Sequence, residues 1–488
     1  MADAPRILVL DEGTSSTRAV LYCADGAILG WSSRPIEQHY PAPGLVEHDA
    51  EAIWQATLAC GRDVIAKTGS EQLVGAIGIT NQRETVVAWD RRTGRPLHRA
   101  IVWQDRRTAD ACTELREAGH EGLIQQKTGL LLDPYFSATK LAWLQQRPEI
   151  AAAGGAMAFG TIESWLAWKL TGGEHVTDFT NASRTMLLDL EASDWDDDLL
   201  ELFKIKRQRL PRIVGNAEQL GMSLAEWFGR PIPITALIGD QQSAAVGQGC
   251  SAPGQTKLTL GTGAFALTNL GSQRPRNMGR LVGTIASDVK GARSYALEGS
   301  IFVAGSLIKW LRDDLGLLTD AGESEALARS VPDNGGVVLL PALAGLGAPY
   351  WRPNARAVIS GLSFGSTRAH LVRAALEAIS HLAVDLAAAS ADVGAPWSEL
   401  RLDGGMSAND WLAQDLASML GIATIRPADV ETTARGAAML AAVGAGIHPS
   451  LSAAQTMLSP TRRFEPLGNA AERDGRMAAW HQLLASSS

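Results

Sequence analysis

Two similar hairpin patterns, half a chain apart, constrain the fold more than any other feature of this sequence. Residues 7–22, ILVLDEGTSSTRAVLY, read as two strands joined by a turn rich in Gly, Ser and Thr. Residues 257–270, KLTLGTGAFALTNL, repeat this pattern around Gly-Thr-Gly. Such turns present backbone N–H groups and hydroxyls, which are donors that can hold a phosphate. The first copy alone could be an ordinary polar hairpin, but the pair predicts a duplicated nucleotide-binding fold with a cleft between its halves.

A third segment extends this pattern. Residues 400–412, LRLDGGMSANDWL, read as a strand that runs into two glycines and then a helix. The three segments together resemble the actin-like ATPase superfamily, which includes sugar kinases, actin and the seventy-kilodalton chaperones. The resemblance implies an α/β fold of two ribonuclease H-like domains, each a mixed sheet flanked by helices. We expect residues 1–246 to bind a polyol and carry the first phosphate hairpin, and residues 247–488 to bind the nucleotide.

Composition excludes several classes of function. The 488 residues are 46% hydrophobic and 20% charged, as in ordinary globular proteins, and the net charge is −8. This balance argues against a nucleic-acid or anionic-membrane partner. We see no apolar run of about 18 residues and no signal-type start. The cysteines are isolated and predict a reducing, cytoplasmic location; they are Cys23, Cys60, Cys112 and Cys250.

Smaller patterns predict individual elements. Asp49 is an N-cap candidate for a helix with apolar residues at helical spacing. Residues 294–315 read as a strand that ends near Gly299, followed by a helix. Residues 433–445, TARGAAMLAAVGA, are rich in small residues and predict a helix that packs closely against a neighbour.

Charged residues follow two predicted buried strands. Arg83 and Glu84 come after residues 73–80, and Asp240 and Gln241 come after the strand that begins at residue 234. Ligands of open α/β sheets gather at the carboxyl ends of strands. A surface ion pair and a helix N-cap are the plainer interpretations of these two sites.

These side chains suit phosphoryl transfer to a small polyol. No Walker motif and no Gly-x-Gly-x-x-Gly follows a strand, which disfavours a dinucleotide oxidoreductase. Asp11, at the first hairpin, is a candidate Mg²⁺ ligand, and Asp240 is a candidate base. Hydrogen-bonding groups that match alternating hydroxyls come from Arg83, Glu84, Tyr135, Asp240 and Gln241, and apolar cover comes from Trp103 and Phe265.

Over essentially its whole length the chain resembles the glycerol-phosphorylating members of the FGGY family of carbohydrate kinases. The matching segments include DEGTSSTR, GITNQRET, AIVWQDRRT, DPYFSATKLAWL, TDFTNASRTML, GDQQSA, GTGAFALTN, YALEGSIFVAGS, GLGAPYW and LDGGMSAND. The resemblance implies ATP-dependent phosphorylation of glycerol to sn-glycerol 3-phosphate with Mg²⁺, and homodimers or homotetramers. Its glycerol contacts fall on Arg83, Glu84, Trp103, Tyr135, Asp240, Gln241 and Phe265, with Asp240 as general base. Its phosphate and nucleotide contacts fall on Thr14, Ser15, Ser16, Arg18, Thr262, Gly305, Gly405 and Asn409.

Two positions depart from the family pattern. Glu12 and Lys309 both stand where Gln is usual, so we expect an additional acid beside the phosphates, and a Lys at the nucleotide site. The loop that responds to sugar bisphosphates in some members has no good match here. The alternatives are an FGGY kinase for erythritol or a ketose such as xylulose, and an actin-like nucleotide switch with no small-molecule acceptor.

Overall fold

Two large mixed β-sheets organise the part of the chain that the computed structural model describes, residues 5–429 and 431–487. The strands are β1 (Arg6–Glu12), β2 (Ser16–Tyr22), β3 (Ile28–Pro35), β4 (Gln38–His39), β5 (Glu47–His48), β6 (Val74–Asn81), β7 (Val86–Asp90), β8 (Arg95–Pro96), β9 (Ala100–Ile101), β10 (Met157–Thr161), β11 (Val176–Asp178), β12 (Leu188–Asp189), β13 (Asp194–Trp195), β14 (Arg212–Val214), β15 (Gly221–Met222), β16 (Pro233–Gly239), β17 (Gln255–Leu260), β18 (Ala264–Gly271), β19 (Val282–Val289), β20 (Ala292–Ile301), β21 (Val338–Leu340), β22 (Val358–Ser360), β23 (Glu399–Asp403), β24 (Thr424–Pro427) and β25 (Thr461–Phe464).

The α-helices connect and cover these strands. They are α1 (Ala50–Thr68), α2 (Ala109–Glu117), α3 (Glu121–Thr128), α4 (Ser137–Gln145), α5 (Pro148–Ala151), α6 (Ile162–Thr171), α7 (Phe179–Ala182), α8 (Asp197–Leu202), α9 (Ala225–Phe228), α10 (Asp240–Gly247), α11 (Gly305–Asp313), α12 (Glu323–Arg329), α13 (Arg368–Asp392), α14 (Asp410–Leu420), α15 (Thr432–Gly444), α16 (Leu451–Ala454) and α17 (Ala470–Ser486). None of the described helices is both long and apolar enough to span a membrane.

The two large sheets share one plan, as the duplicated hairpins predict. In the first sheet, β1 pairs antiparallel with β2 and parallel with β6, and the order is β15-β16-β6-β1-β2-β3. In the second, β17 pairs antiparallel with β18 and parallel with β23, and the order is β19-β20-β18-β17-β23-β24-β25. Each predicted phosphate hairpin is therefore the centre of a mixed sheet.

Strand alternation gives the first sheet two buried faces. Leu8 and Leu10 of β1 face the core that contains α1, while Ile7 and Val9 face the core that contains α15. Since α15 belongs to the second half of the sequence but packs on the first sheet, the two halves are joined by more than a linker. The predicted division at residues 246 and 247 stays a prediction.

The predicted small elements are mostly confirmed. Asp49 caps α1, and its Oδ1 accepts from the backbone N–H groups of Glu51 at 2.9 Å and Ala52 at 3.0 Å. The predicted strand end near Gly299 is wrong, because β20 continues through this residue to Ile301. A Cβ on Gly299 would lie 2.7 Å from the side chain of Leu386 on α13, so this glycine permits close packing rather than a turn.

Candidate active site

The turn between β1 and β2 places the predicted phosphate and metal residues together. Arg18 Nη2 donates to Asp11 Oδ2 at 3.2 Å, and Arg18 also forms an ion pair with Glu431 just before α15. Trp103 Nε1 donates to Thr14 Oγ1 at 2.9 Å, which ties the turn to the predicted polyol region. Ser15 lies in the same turn, and Ser16 is the first residue of β2. The hairpin of β1 and β2 therefore contacts elements of both halves.

The environment of Asp11 suits a divalent cation. The residue is 7% exposed; burial raises the pKa of its carboxyl group to about 6, although Arg18 opposes the rise. A nearby cation stabilises the ionised form of a buried carboxylate, and oxygen is the ligand atom that Mg²⁺ prefers. No cluster of three or more potential metal-ligating residues occurs in residues 5–429 and 431–487, but Mg²⁺ usually takes one or two carboxylates together with waters and phosphates. The residue thus fits the predicted role.

Glu12 does not add a charge beside the phosphates, and that expectation is wrong. Neighbouring residues of a strand point to opposite faces, so Glu12 lies under α1 with no exposed surface. Thr57 Oγ1 donates to Glu12 Oε2 at 2.8 Å. Burial raises the pKa of Glu12 to about 8, so the carboxyl group is mostly protonated at neutral pH.

The predicted polyol pair sits in a strained turn after β6. Glu84 has a φ of 61°, in the left-handed region that non-glycine residues seldom adopt. Its carbonyl oxygen accepts from Ser137 Oγ at 3.2 Å and from the fully buried Lys140 Nζ at 3.4 Å. Lys140 also donates to the carbonyl of Tyr135 at 2.6 Å. Lys140 thus links the Glu84 turn to the Tyr135 loop, a function that its place in the segment SATKLAWL did not reveal.

Asp240 is brought to the same place from β16. It is the first residue of α10, and Gly239 is the N-cap, so the N-cap interpretation is wrong; Asp240 Oδ1 accepts from the N–H of the next residue, Gln241, at 2.7 Å. Arg83 Nε lies 3.3 Å from Asp240 Oδ1. Partial burial raises the pKa of Asp240, while Arg83 favours the ionised form. The plainer interpretation of Arg83 as a surface residue is also wrong, because Arg83 is 2% exposed.

The remaining predicted polyol residues are partly joined to this group. The rings of Trp103 and Tyr135 meet edge to face, with centroids 5.6 Å apart. Gln241 Oε1 accepts from Lys257 Nζ, a buried amine on β17 that sequence reasoning did not select. Phe265 is half-buried on β18, and no ring contact joins it to another aromatic residue in the described chain. The second half therefore contributes Lys257 directly, and Phe265 only by its place on β18.

The second hairpin turn packs on the start of α11. The carbonyl oxygen of Thr262 accepts from the backbone N–H groups of Ala304 and Ser306, both at 3.0 Å. A Cβ on Gly305 would lie 2.5 Å from the carbonyl oxygen of Gly261, so only glycine allows this approach. Lys309 is exposed on the same helix.

The Gly-Gly turn after β23 supplies the other predicted nucleotide residues. Gly405 is exposed, and Asn409 is the N-cap of α14, with Oδ1 accepting from the N–H of Leu412 at 2.9 Å. Its Nδ2 donates to Ser324 Oγ at 3.2 Å. Of the predicted nucleotide residues, Gly305, Gly405 and Asn409 thus lie on turns or helix starts, while Lys309 lies within α11.

Two charged residues that sequence reasoning missed complete the polyol region. Arg184 donates from Nε to Glu84 Oε1 at 2.6 Å and from Nη2 to Glu298 Oε1 at 2.9 Å. Glu298 also accepts from Arg83 Nη1 at 2.6 Å. Both lie in segments that matched the family, TDFTNASRTML and YALEGSIFVAGS. A charge inside the apolar strand YALEGSI was the one local signal for Glu298.

Comparisons with known proteins agree on one family. The family models for the N-terminal and C-terminal domains of the FGGY family of carbohydrate kinases match residues 6–247 and 256–445. A glycerol kinase from Dechloromonas aromatica is 50% identical over 488 residues, covering 99% of this chain and 97% of that protein. A glycerol kinase from Rhodospirillum centenum is 48% identical, covering 99% and 98%.

Solved structures extend the similarity to three dimensions. The Plasmodium falciparum glycerol kinase with ADP has a TM-score of 0.94 at 35% identity, covering 99% of this chain and 98% of that chain. A xylulose kinase from Rhodospirillum rubrum has a TM-score of 0.87 at 27% identity, covering 99% and 98%.

Proposed function

The chain belongs to the FGGY family of carbohydrate kinases, and from this premise we propose that it transfers the terminal phosphoryl group of ATP to glycerol, giving sn-glycerol 3-phosphate. The observation that carries the proposal is the meeting of Arg83, Glu84 and Asp240 at the ends of two neighbouring strands, where Arg83 Nε lies 3.3 Å from the Asp240 carboxylate. The curated relatives that share nearly the whole chain support glycerol as the acceptor.

Each side chain of the polyol site has a separate role in an in-line displacement at the γ-phosphorus. A terminal hydroxyl oxygen of glycerol forms a bond to the γ-phosphorus of ATP, while the bond from that phosphorus to the oxygen retained by ADP breaks. Asp240 takes the hydroxyl proton as the new bond forms. Arg83 and Glu84 hold the other hydroxyls, one as donor and one as acceptor, and Trp103 and Tyr135 cover the carbon chain. Positioning of this kind is the main contribution of a protein to phosphoryl transfer.

The two hairpins bind the phosphates of ATP in this proposal. Thr14, Ser15 and Ser16 offer hydroxyl and backbone donors, Arg18 offers a cation, and Thr262 belongs to the opposing turn. The nucleotide would lie against Gly305, Lys309, Gly405 and Asn409. Mg²⁺, when bound, would neutralise charge on the phosphate oxygens, and Asp11 is the residue that would hold it.

A panel of acceptors tests this proposal. ADP release would be measured with ATP and Mg²⁺ in the presence of glycerol, erythritol, xylulose or no acceptor. We expect the highest kcat/KM with glycerol, and little ADP release without an acceptor. A preference for xylulose or erythritol would assign the chain to another FGGY activity. Rapid ADP release that no polyol accelerates would favour the nucleotide switch.

Two further expectations accompany the activity. The family resemblance implies a homodimer or homotetramer and a cytoplasmic location, and both stay predictions. Light scattering of the purified protein tests the first, and fractionation of the cells that produce it naturally tests the second.

A further inference from the structure

Four buried charges form a closed network around the predicted polyol pair. Arg83 donates from Nη1 to Glu298 Oε2 at 2.6 Å and from Nη2 to Glu298 Oε1 at 3.2 Å. Arg184 donates to Glu298 Oε1 at 2.9 Å and to Glu84 Oε1 at 2.6 Å. No side chain of the four is more than 5% exposed. Two positive and two negative charges therefore balance each other out of contact with water.

Glu298 comes from the other half of the molecule. It lies on β20 of the second sheet, where its register partners are the buried residues Leu267 and Val282. Arg83, Glu84 and Arg184 all come from the first half. The network thus crosses from the polyol half to the nucleotide half.

The geometry gives Glu298 control over the orientation of Arg83. A carboxylate that accepts from both terminal nitrogens of a guanidinium fixes the plane of that group. With Nη1 and Nη2 held, the Nε edge of Arg83 faces Asp240, and Nε has no hydrogen-bond partner within residues 5–429 and 431–487. This N–H is a donor available to a hydroxyl placed beside Asp240.

Arg184 has a corresponding effect on Glu84. Its bond to Oε1 fixes one carboxylate oxygen, and it also neutralises a charge that would otherwise be buried beside Asp240. Removing one member of such a buried set leaves an unpaired charge, which either reorients or draws in water.

We propose that Glu298 and Arg184 are positioning residues for the polyol: Glu298 orients Arg83, Arg184 orients Glu84, and Glu298 makes the grip on the polyol depend on docking of the nucleotide half. This inference rests on the proposed function, because it takes Arg83 and Glu84 as the polyol contacts. It adds two residues to the polyol region and a physical link between the halves.

The test separates acceptor binding from nucleotide binding. KM for glycerol and for ATP would be measured for the full-length wild type, Glu298→Gln and Glu298→Asp. Gln keeps the size but loses the charge, so we expect KM for glycerol to rise roughly tenfold to a hundredfold, as for other buried ion pairs broken at one partner. KM for ATP should stay within about twofold. Asp keeps the charge and should recover part of the loss.

Glu377→Gln is the matched control. Glu377 is also a buried glutamate of the second half that pairs with an arginine, Arg373, at 2.9 Å, but it lies on α13 away from Arg83. Its substitution should leave KM for glycerol unchanged. An equal effect of the two Gln substitutions, or a parallel rise in both KM values for Glu298→Gln, would overturn the proposal.

A charge-balanced double variant tests the proposal if Glu298→Gln does not fold. In Arg184→Met/Glu298→Met the remaining pair, Arg83 and Glu84, stays balanced in charge, so we expect this protein to fold by circular dichroism. It should still show a raised KM for glycerol. A wild-type KM in this variant would also overturn the proposal. A wild type that prefers another acceptor contradicts the proposed function instead, so the two failures are distinguishable.

Discussion

At the scale of single residues, Asp240 is subject to opposing electrostatic influences. Partial burial raises its pKa, and Glu84 adds to the rise, while Arg83 and Lys257 lower it. A raised pKa makes a carboxylate a better proton acceptor, provided that the pH stays above it. The site therefore combines a more basic Asp240 with cations that keep it ionised.

Substitution of Asp240 tests its role as base. We expect Asp240→Asn to lower kcat by roughly 10² to 10⁴ while KM for ATP changes little, because the amide keeps the shape but cannot take the proton. In the wild type, kcat should fall as the pH falls through the raised pKa, and this acid limb should be absent from the residual activity of the variant. Steady-state kinetics across pH would measure both. A variant with near-normal turnover would remove Asp240 from this role.

The buried Glu12 predicts that the stability of the folded protein decreases as the pH rises. The pKa of Glu12 is about 8 in the folded protein, against an ordinary value of 4.5, so between these pH values the folded state holds a proton that the unfolded state has lost. The stability that this proton brings is complete below pH 4.5 and is lost as the pH rises through 8. The loss is at most about 1.4 kcal/mol per pH unit.

A neutral side chain of the same shape removes this dependence. We expect Glu12→Gln to melt near the wild-type temperature at pH 5 and progressively above it as the pH approaches 8. Melting curves at several pH values measure the difference. Glu71→Gln, at an exposed position, serves as the control and should show no such trend. A gap between wild type and Glu12→Gln that does not change with pH would contradict a buried, protonated Glu12.

The sequence predicts a site residue when the residues next to it in the chain form a recognisable pattern. Arg83, Glu84 and Asp240 follow strands, and a strand's carboxyl end is visible as an apolar run that stops at polar residues. Glu298 pairs with Arg83 across 215 residues, so no local pattern indicates their contact. Glu12 was misjudged because a one-residue shift along a strand reverses the face, and the identity of the face depends on the packing of α1.

At the scale of secondary structure elements, α15 carries the contact between the halves. It crosses α10 so closely that a Cβ on Gly436 would lie 1.9 Å from the carbonyl oxygen of Ser243, and a Cβ on Gly247 would lie 1.9 Å from that of Thr432. Ser243 Oγ donates to the carbonyl of Thr433 at 2.7 Å. Because α10 begins with Asp240, the position of this helix pair sets the position of the proposed base.

A methyl group at the crossing should therefore be damaging. We expect Gly436→Ala to lower the free energy of unfolding by roughly 1–3 kcal/mol, since backbone atoms must move apart to admit it. Gly475→Ala is the control, because Gly475 lies in α17 with no atom near a new Cβ, and Ala there should stabilise the helix by about 0.5–1 kcal/mol. Melting temperatures of the two variants would be compared. Similar shifts in both would contradict close packing at the crossing.

Element prediction succeeded where the cause of an element is local. The cap of α1 and the small-residue helix at residues 432–444 follow from caps and composition within a few residues. Gly299 was misread because a glycine that admits a neighbouring helix and a glycine that ends a strand look alike in sequence. The difference lies in Leu386, which approaches from a distant part of the chain.

At the scale of the whole molecule, two copies of one sheet plan are joined by contacts that cross between them. α15 covers a face of the first sheet, and Glu298 of the second sheet holds Arg83 of the first. The duplication was predictable because each hairpin keeps its turn sequence. The contacts between the copies were not, since residues from each half serve different partners and share no repeated pattern.

An exposed apolar segment of the second half bears on assembly. Leu362 and Phe364, in the loop between β22 and α13, are both largely exposed, and Ile359 beside them is partly so. Contiguous exposed apolar side chains of this kind are typical of protein interfaces. A second copy of this chain is the occupant that the family resemblance implies. At a two-fold interface both copies would bury the same residues. Full burial of Leu362 and Phe364 in both copies would contribute a hydrophobic free energy of roughly 6–12 kcal/mol, counting four side chains.

Substitutions in this segment should consequently weaken the assembly. We expect the wild type to have the mass of a dimer or tetramer by light scattering at micromolar concentration, and Leu362→Ser/Phe364→Ser to shift toward the monomer mass. Leu467→Ser, at an isolated exposed leucine, should leave the mass unchanged. If the double variant keeps the wild-type mass, the interface lies elsewhere. A monomeric wild type would contradict self-association through this segment.

Loss of assembly should raise KM for glycerol only slightly, because the exposed segment reaches the site indirectly. The segment precedes α13, and Leu386 of α13 packs against Gly299 on β20, the strand that carries Glu298. The interface would therefore support this strand from a distance and contribute no residue to the site itself.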